Sequence, residues 1–135
     1  MKVILDTNVF ISGIFFSGPP YKLLEGWRDG KIKLVMSPEI LKEYQEVALR
    51  ISQQFQDIDI GSIIELVAIE GAIISSPPLK KQVCRDKGDD KFIACALASR
   101  TKIIISGDKD LIDISGYRGI EVIKPRFFVE KYLKS

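Results

Sequence analysis

Val3-Ile4-Leu5-Asp6-Thr7-Asn8-Val9 lies near the start of the chain, and its reading decides the fold. A short apolar run that stops on a carboxylate predicts a strand from Lys2 to Leu5, with Asp6 at its C-terminal end. In open α/β sheets, ligands bind at the carboxyl ends of the strands. The same pattern recurs far along the chain in Ile103-Ile104-Ile105-Ser106-Gly107-Asp108. The chain has no histidine. Two strand-end aspartates in such a chain point to a metal site built from oxygen, which hard cations such as Mg²⁺ prefer.

The lack of histidine also excludes a Ser-His-Asp triad, a Cys-His nucleophile and a His-liganded zinc. Any chemistry must use carboxylates, Lys, Ser, Thr, Tyr or Cys, with or without a metal. A length of 135 residues with 46% apolar content predicts a single α/β domain over residues 1–135. The net charge of +2 is too small to indicate nucleic-acid binding by itself, so any basic surface must come from placement. No window approaches the ~20 apolar residues of a membrane span, and no signal peptide is expected. Cys84 and Cys95 have no paired spacing, which argues against a disulfide framework and for a reducing cytoplasm.

Strand and helix patterns alternate, as in a sandwich with a largely parallel central sheet flanked by helices. Residues 10–20, with Gly13, Gly18, Pro19 and Pro20, read as loop or the beginning of a short helix. An amphipathic helix over Tyr21 to Arg28 is closed by Gly30, and Lys31 to Val35 reads as the second strand. Ser37-Pro38-Glu39 starts a helix running to about Ile51: Ser caps, Pro takes the first position and Glu complements the dipole. Residues 52–59 connect to a helix over Ile60 to Glu70, followed by a short strand over Ala72 to Ile74 and a loop from Ser75 to Lys81. After a charged turn over Cys84 to Gly88, Asp89 or Asp90 opens a buried helix through about Ser99. Strands over Ile103 to Ser106 and Glu121 to Ile123 and a helix over Arg126 to Leu133 complete the pattern.

Most of the eighteen acids must be ordinary surface charge. A carboxylate at the end of a buried strand or on an apolar helix face needs compensation, and a metal ion supplies it. Asp6 meets that criterion, with a helix cap as the plain alternative. At ~100° per residue, Glu43 falls just beside the stripe of Ile40, Tyr44, Val47, Ala48 and Ile51, as a boundary residue also would. Asp90 shares a face with Ile93, Ala94 and Leu97. Asp89 and Asp90 could equally be one cap and one solvated acid beside Asp86. Asp108 is either a ligand or part of a tight turn, Gly107-Asp108-Lys109-Asp110.

Four stretches together carry a specific likeness: Leu5-Asp6-Thr7-Asn8-Val9-Phe10-Ile11-Ser12, Ser37-Pro38-Glu39-Ile40-Leu41-Lys42-Glu43-Tyr44, Cys84-Arg85-Asp86-Lys87-Gly88-Asp89-Asp90-Lys91-Phe92 and Ile105-Ser106-Gly107-Asp108-Lys109-Asp110-Leu111. In order and spacing the chain resembles the PIN domain family of ribonucleases over essentially its whole length. It looks most like the prokaryotic group described as toxin components of toxin–antitoxin systems. The resemblance implies a PIN-like three-layer sandwich and a Mg²⁺- or Mn²⁺-dependent cleavage of single-stranded RNA. It implies Asp6, Glu43, Asp90 and Asp108 as catalytic metal ligands, with Asp89 as the neighbouring alternative and Asn8 and Ser106 as supports. A homodimer and a cognate antitoxin follow as implied partners.

Lys87, Lys91 and Lys109 lie beside these motifs, where they would hold an RNA backbone. Phe15, Phe16, Tyr21 and Trp27 read as core or as surface for a second copy rather than as stacking platforms. Phosphotransfer domains also place an aspartate after the first strand. A dehalogenase-like domain needs a second Asp where this chain has Asn8, and a receiver needs an acidic pair before its aspartate. A DNA-directed nuclease, a housekeeping RNA-processing enzyme and a non-catalytic RNA- or partner-binding domain are the remaining alternatives.

Overall fold

A computed structural model describes residues 1–55 and 57–133. The elements in chain order are β1 (Lys2–Leu5), α1 (Thr7–Phe15), α2 (Pro19–Arg28), β2 (Lys33–Met36), α3 (Pro38–Ser52), α4 (Ile60–Glu70), β3 (Ala72–Ile73), α5 (Asp90–Ser99), β4 (Ile103–Ile105), α6 (Lys109–Ile112), β5 (Glu121–Ile123) and α7 (Pro125–Phe128). Among the described residues the strands form one sheet in the order β3-β2-β1-β4-β5, and every pairing is parallel. This is the α/β architecture expected from the alternating pattern.

A parallel sheet covered on both faces needs continuous apolar strands rather than alternating ones. Val3, Ile4 and Leu5 of β1 are at most 1% exposed, and Leu34, Val35 and Met36 of β2 at most 2%. The chain builds outward from β1 in one direction through β2 and β3. It then crosses by α5 to lay β4 and β5 on the other side. Strand order therefore reverses between β1 and β4. At such a switch point the flanking connections diverge and leave a crevice at the carboxyl end of the sheet.

Residues 10–20, read as loop or the beginning of a short helix, are largely helical. Thr7–Phe15 is helical, and Asp6 caps it by accepting the Val9 N–H at 2.8 Å. Gly13, which suggested a break, serves close packing instead. A Cβ there would stand 2.8 Å from the Pro20 carbonyl oxygen. The two prolines open α2 at Pro19 rather than ending a loop, because a missing N–H costs nothing in a first helical turn. At the C-terminus the expected helix is α only through Phe128 and continues as a wider π turn, Val129–Leu133. Gln56, within the expected connection over residues 52–59, lies outside the described residues, as do residues 134–135.

α3 is the helix that ties the layers. Ser37 caps it, its hydroxyl accepting the Ile40 N–H at 3.2 Å. Ile40, Tyr44 and Ala48 are buried at i, i+4 and i+8. The Tyr44 ring stacks on Phe10 of α1 with centroids 4.2 Å apart, and its hydroxyl donates to the Leu5 carbonyl. A side chain of α3 thereby closes the last backbone group of β1 beside Asp6. Cys84 and Cys95 are buried free thiols, and burial pushes both up to about 12.

Tyr44→Phe keeps the stacking but leaves the Leu5 carbonyl unpaired in the core. The expected loss is about 1–2 kcal/mol of unfolding free energy, read from urea melts with an unchanged m-value. A loss near zero would mean that this bond contributes nothing to holding α3 on β1.

Candidate metal centre

The switch point brings together residues from four distant parts of the sequence. Asp6 follows β1, Ser106 and Asp108 follow β4, Glu43 comes from α3, and Asp89 stands at the start of α5. A cleft of about 190 Å³ is lined by Asp6, Thr7, Asn8, Glu43, Val47, Asp89, Phe92 and Asp108. Four carboxylates thus share one small space.

Asp6 is 5% exposed. One carboxylate oxygen accepts the Val9 N–H and the other accepts the Ser106 hydroxyl. Burial pushes its carboxyl above the ordinary range, and the charges of Asp108 and Glu43 add to this against the two hydrogen bonds. Ser106 also accepts the Asp108 N–H at 2.9 Å, so one buried hydroxyl fixes both strand-end aspartates. Asp108 in turn caps α6, accepting from the Asp110 N–H at 3.4 Å. The turn role anticipated for it exists, and it coexists with a place in the cleft.

Glu43 sits beside the buried stripe of α3. One oxygen accepts the Thr7 hydroxyl, and the other pairs with the Lys91 ammonium at 2.7 Å. Lys91 is therefore spent on a protein carboxylate. Lys87 lines a separate hollow with Glu39, Ser76, Pro78, Asp90 and Lys91. Lys109 opens α6 and is exposed.

The adjacent aspartates part company. Asp90 accepts the N–H groups of Cys84 and Val83 at 2.7 and 3.1 Å, so its carboxylate holds the preceding loop. It lines the hollow of Lys87 rather than the four-acid cleft. Asp89 lines the cleft, and its Oδ2 is buried with no hydrogen-bond partner among the described residues. Its carboxyl is pushed up to about 7 by burial, then by contact with Asp108 and the charges of Asp86 and Asp110.

Asp86 and Asp110 were not singled out as site residues from sequence. Each has a carboxylate oxygen within 4.8 Å of the other and of Asp89. The available signals were the spacing Asp108-Lys109-Asp110 and three acids within five residues at 86–90. Asp86 also accepts the Gly88 N–H at 2.9 Å, and Asp110 meets Arg85 at 3.4 Å.

A hard divalent cation fits this donor set. The ligands on offer are carboxylate oxygens, one of them is buried and orphaned, and like charges crowd it. The PIN domain family profile matches residues 2–110. The chain belongs to the PIN domain family. PIN domains are as a class nucleases that generally use divalent metal, so a hydrolase acting on nucleic acid follows at that level. An uncharacterized protein of Methanocaldococcus jannaschii is 36% identical, with 99% of this chain and 93% of that protein aligned. No helix among the described residues is long and apolar enough to cross a membrane.

Asp89 carries a pH signature. Its folded value near 7 lies above the ordinary value of about 4. The folded protein holds a proton that the unfolded chain releases, so metal-free stability falls as pH rises from about 4 through 7. Asp6 acts with the same sign. Asp89→Asn should flatten that fall and make the metal-free protein more stable than the parent at pH 8. Urea melts in chelator at a series of pH values check it, and a parent whose stability rises across this window contradicts it.

Proposed function

We propose that this PIN domain is a metal-dependent endoribonuclease that hydrolyses phosphodiester bonds of single-stranded RNA as the toxin of a toxin–antitoxin pair. The observation that carries the nuclease reading is the orphaned Asp89 oxygen among the cleft carboxylates of Asp6, Glu43 and Asp108. Those four residues would hold Mg²⁺ or Mn²⁺. Asp89 takes the place first given to Asp90, because the Asp90 carboxylate is engaged by two backbone N–H groups.

A divalent ion in this cleft would activate water and offset charge on the phosphate and leaving oxygen. The chain's own residues prepare the site for it. Ser106 holds Asp6 in one orientation and ties Asp108 to it, and Thr7 does the same for Glu43. Asn8, exposed at the cleft, is placed to hydrogen-bond a substrate. Lys87 and Lys109 supply positive charge for the RNA backbone. Leu49, Leu66, Ile69 and Ile73 are exposed apolar side chains on α3, α4 and β3, a surface suited to a second copy or to an antitoxin. The toxin role also draws on the sequence likeness described above.

The test pairs metal-dependent cleavage with thermal midpoint on the same preparations. Matched RNA and DNA oligonucleotides serve as substrates. Millimolar Mg²⁺ or Mn²⁺ should raise the midpoint by mass action. Asp6→Asn, Asp89→Asn and Asp108→Asn should lose at least about a hundredfold in RNA cleavage while staying folded, since their charge serves the ion more than the fold. Asp90→Asn should instead lower the midpoint and keep the metal-induced rise. Glu46→Gln, paired with Lys42 at the surface, should retain activity. A well-folded Asp6→Asn protein with full activity would sink the reading, and preferential DNA cleavage would redirect it to DNA.

A further inference from the structure

Helices α1 and α3 lie side by side and run in the same direction. Thr7 at the start of α1 meets Glu43 in the second turn of α3, Phe10 stacks on Tyr44, and Phe15 meets Phe55 just past the end of α3, with centroids 5.1 Å apart. Each helix leaves a stripe of accessible residues that begins in the metal cleft. On α1 the stripe is Asn8, Ser12 and Phe16, at i, i+4 and i+8. Phe16 is the extended residue that ends α1, its N–H bonding to the Ser12 carbonyl at 3.0 Å, and it stands at the far end of this line. On α3 it is Glu43, Val47 and Arg50, at i, i+4 and i+7. Asn8, Glu43 and Val47 line the cleft itself. From the cleft the α1 stripe runs about 12 Å at ~1.5 Å per residue.

The chemistry changes along these stripes. Carboxylates crowd its beginning. Arg50 follows, exposed and without an ion pair among the described residues, because Glu46, four residues earlier, meets Lys42 at 3.9 Å. At the far end Phe16 is 53% exposed and Tyr21 44% exposed. They share a shallow hollow of about 250 Å³ with Ile14, Phe15 and Ser17. Phe55 braces Phe16 edge-on, with centroids 5.7 Å apart, and leaves it partly open to solvent. A free cation followed by braced, open aromatic faces is what a single strand needs: a backbone contact, then a surface on which a base stacks.

We infer that single-stranded RNA leaves the metal cleft over the accessible stripes of α1 and α3, with Arg50 on a phosphate and a base stacked at Phe16 and Tyr21. The inference rests on the nuclease reading for what happens in the cleft and adds the path of the strand outside it. The expression of this path is a preference for long substrates, because a dinucleotide in the cleft reaches neither Arg50 nor Phe16.

The experiment compares a fluorescein-labelled oligouridine octamer with the dinucleotide UpU. Octamer affinity is read by fluorescence anisotropy with Mg²⁺ in an Asp6→Asn background, and cleavage of both substrates is read in the otherwise unaltered chain. Arg50→Ala and Phe16→Ala should each weaken octamer binding about tenfold. In cleavage they should raise the octamer KM more than they lower kcat, collapsing the preference over UpU. Arg50→Ala should reduce the salt slope of binding by about one. Phe16→Trp should restore affinity. Lys33→Ala, at the amino end of β2 away from the cleft, should keep it. Octamer affinity unchanged in folded Arg50→Ala and Phe16→Ala proteins overturns the path. Octamer binding that depends on Arg50 and Phe16 in a chain that cleaves neither substrate keeps the path and removes the nuclease reading.

Discussion

A carboxylate buried at the end of β1 is the constraint around which the molecule is arranged. Asp6 cannot lie 5% exposed beside an apolar strand without partners. The fold meets that need with a helix N-terminus on one oxygen and the Ser106 hydroxyl on the other. Both partners exist only because β4 pairs with β1 at the point where strand order reverses, and because α1 begins immediately after β1. The same pairing draws Asp108 into the cleft through Ser106. Compensation is incomplete, since the carboxyl stays raised by burial and by its acidic neighbours. The fold therefore concentrates negative charge that its own groups do not fully offset, and this residual favours a cation.

Much of this was legible in the sequence. Apolar runs such as Val3-Ile4-Leu5 and Ile103-Ile104-Ile105 mark strands because a doubly covered parallel sheet tolerates nothing else. Ser37-Pro38-Glu39 marks a helix start because the cap and the missing proline N–H suit only that position. Thr7–Phe15 was not legible as a helix. Its cap is the acid that also serves the cleft, and its Gly13 is there for contact with α2, which local propensity does not register. A residue with two structural roles gives a mixed local signal.

The cleft was legible to within one residue at Asp89 and Asp90. Helical periodicity put Asp90 on the buried face, and it is half-buried, held by the loop at Val83 and Cys84. That loop is placed by tertiary packing, and no spacing rule reveals that it needs a carboxylate. Asp89, one step round, then faces the cleft with its Oδ2 unpartnered. The pair divides two tasks that either acid could perform in isolation. Asp86 and Asp110 escaped for a similar reason. Their nearness to Asp89 depends on how the turn before α5 docks against the beginning of α6.

The contact between Lys91 and Glu43 gives the cleft an internal counterion. An ion arriving at Glu43 would not enter an empty anionic site; it would compete with an ammonium group already seated there at 2.7 Å. Loading would then be an exchange of one cation for another. Its free energy would be the difference between two attractions, so the affinity would be moderated and Glu43 would keep a counterion when no metal is bound. The displaced lysine stays tethered to α5, one residue from Asp90. The exchange also couples the cleft to the neighbouring hollow that Lys91 lines.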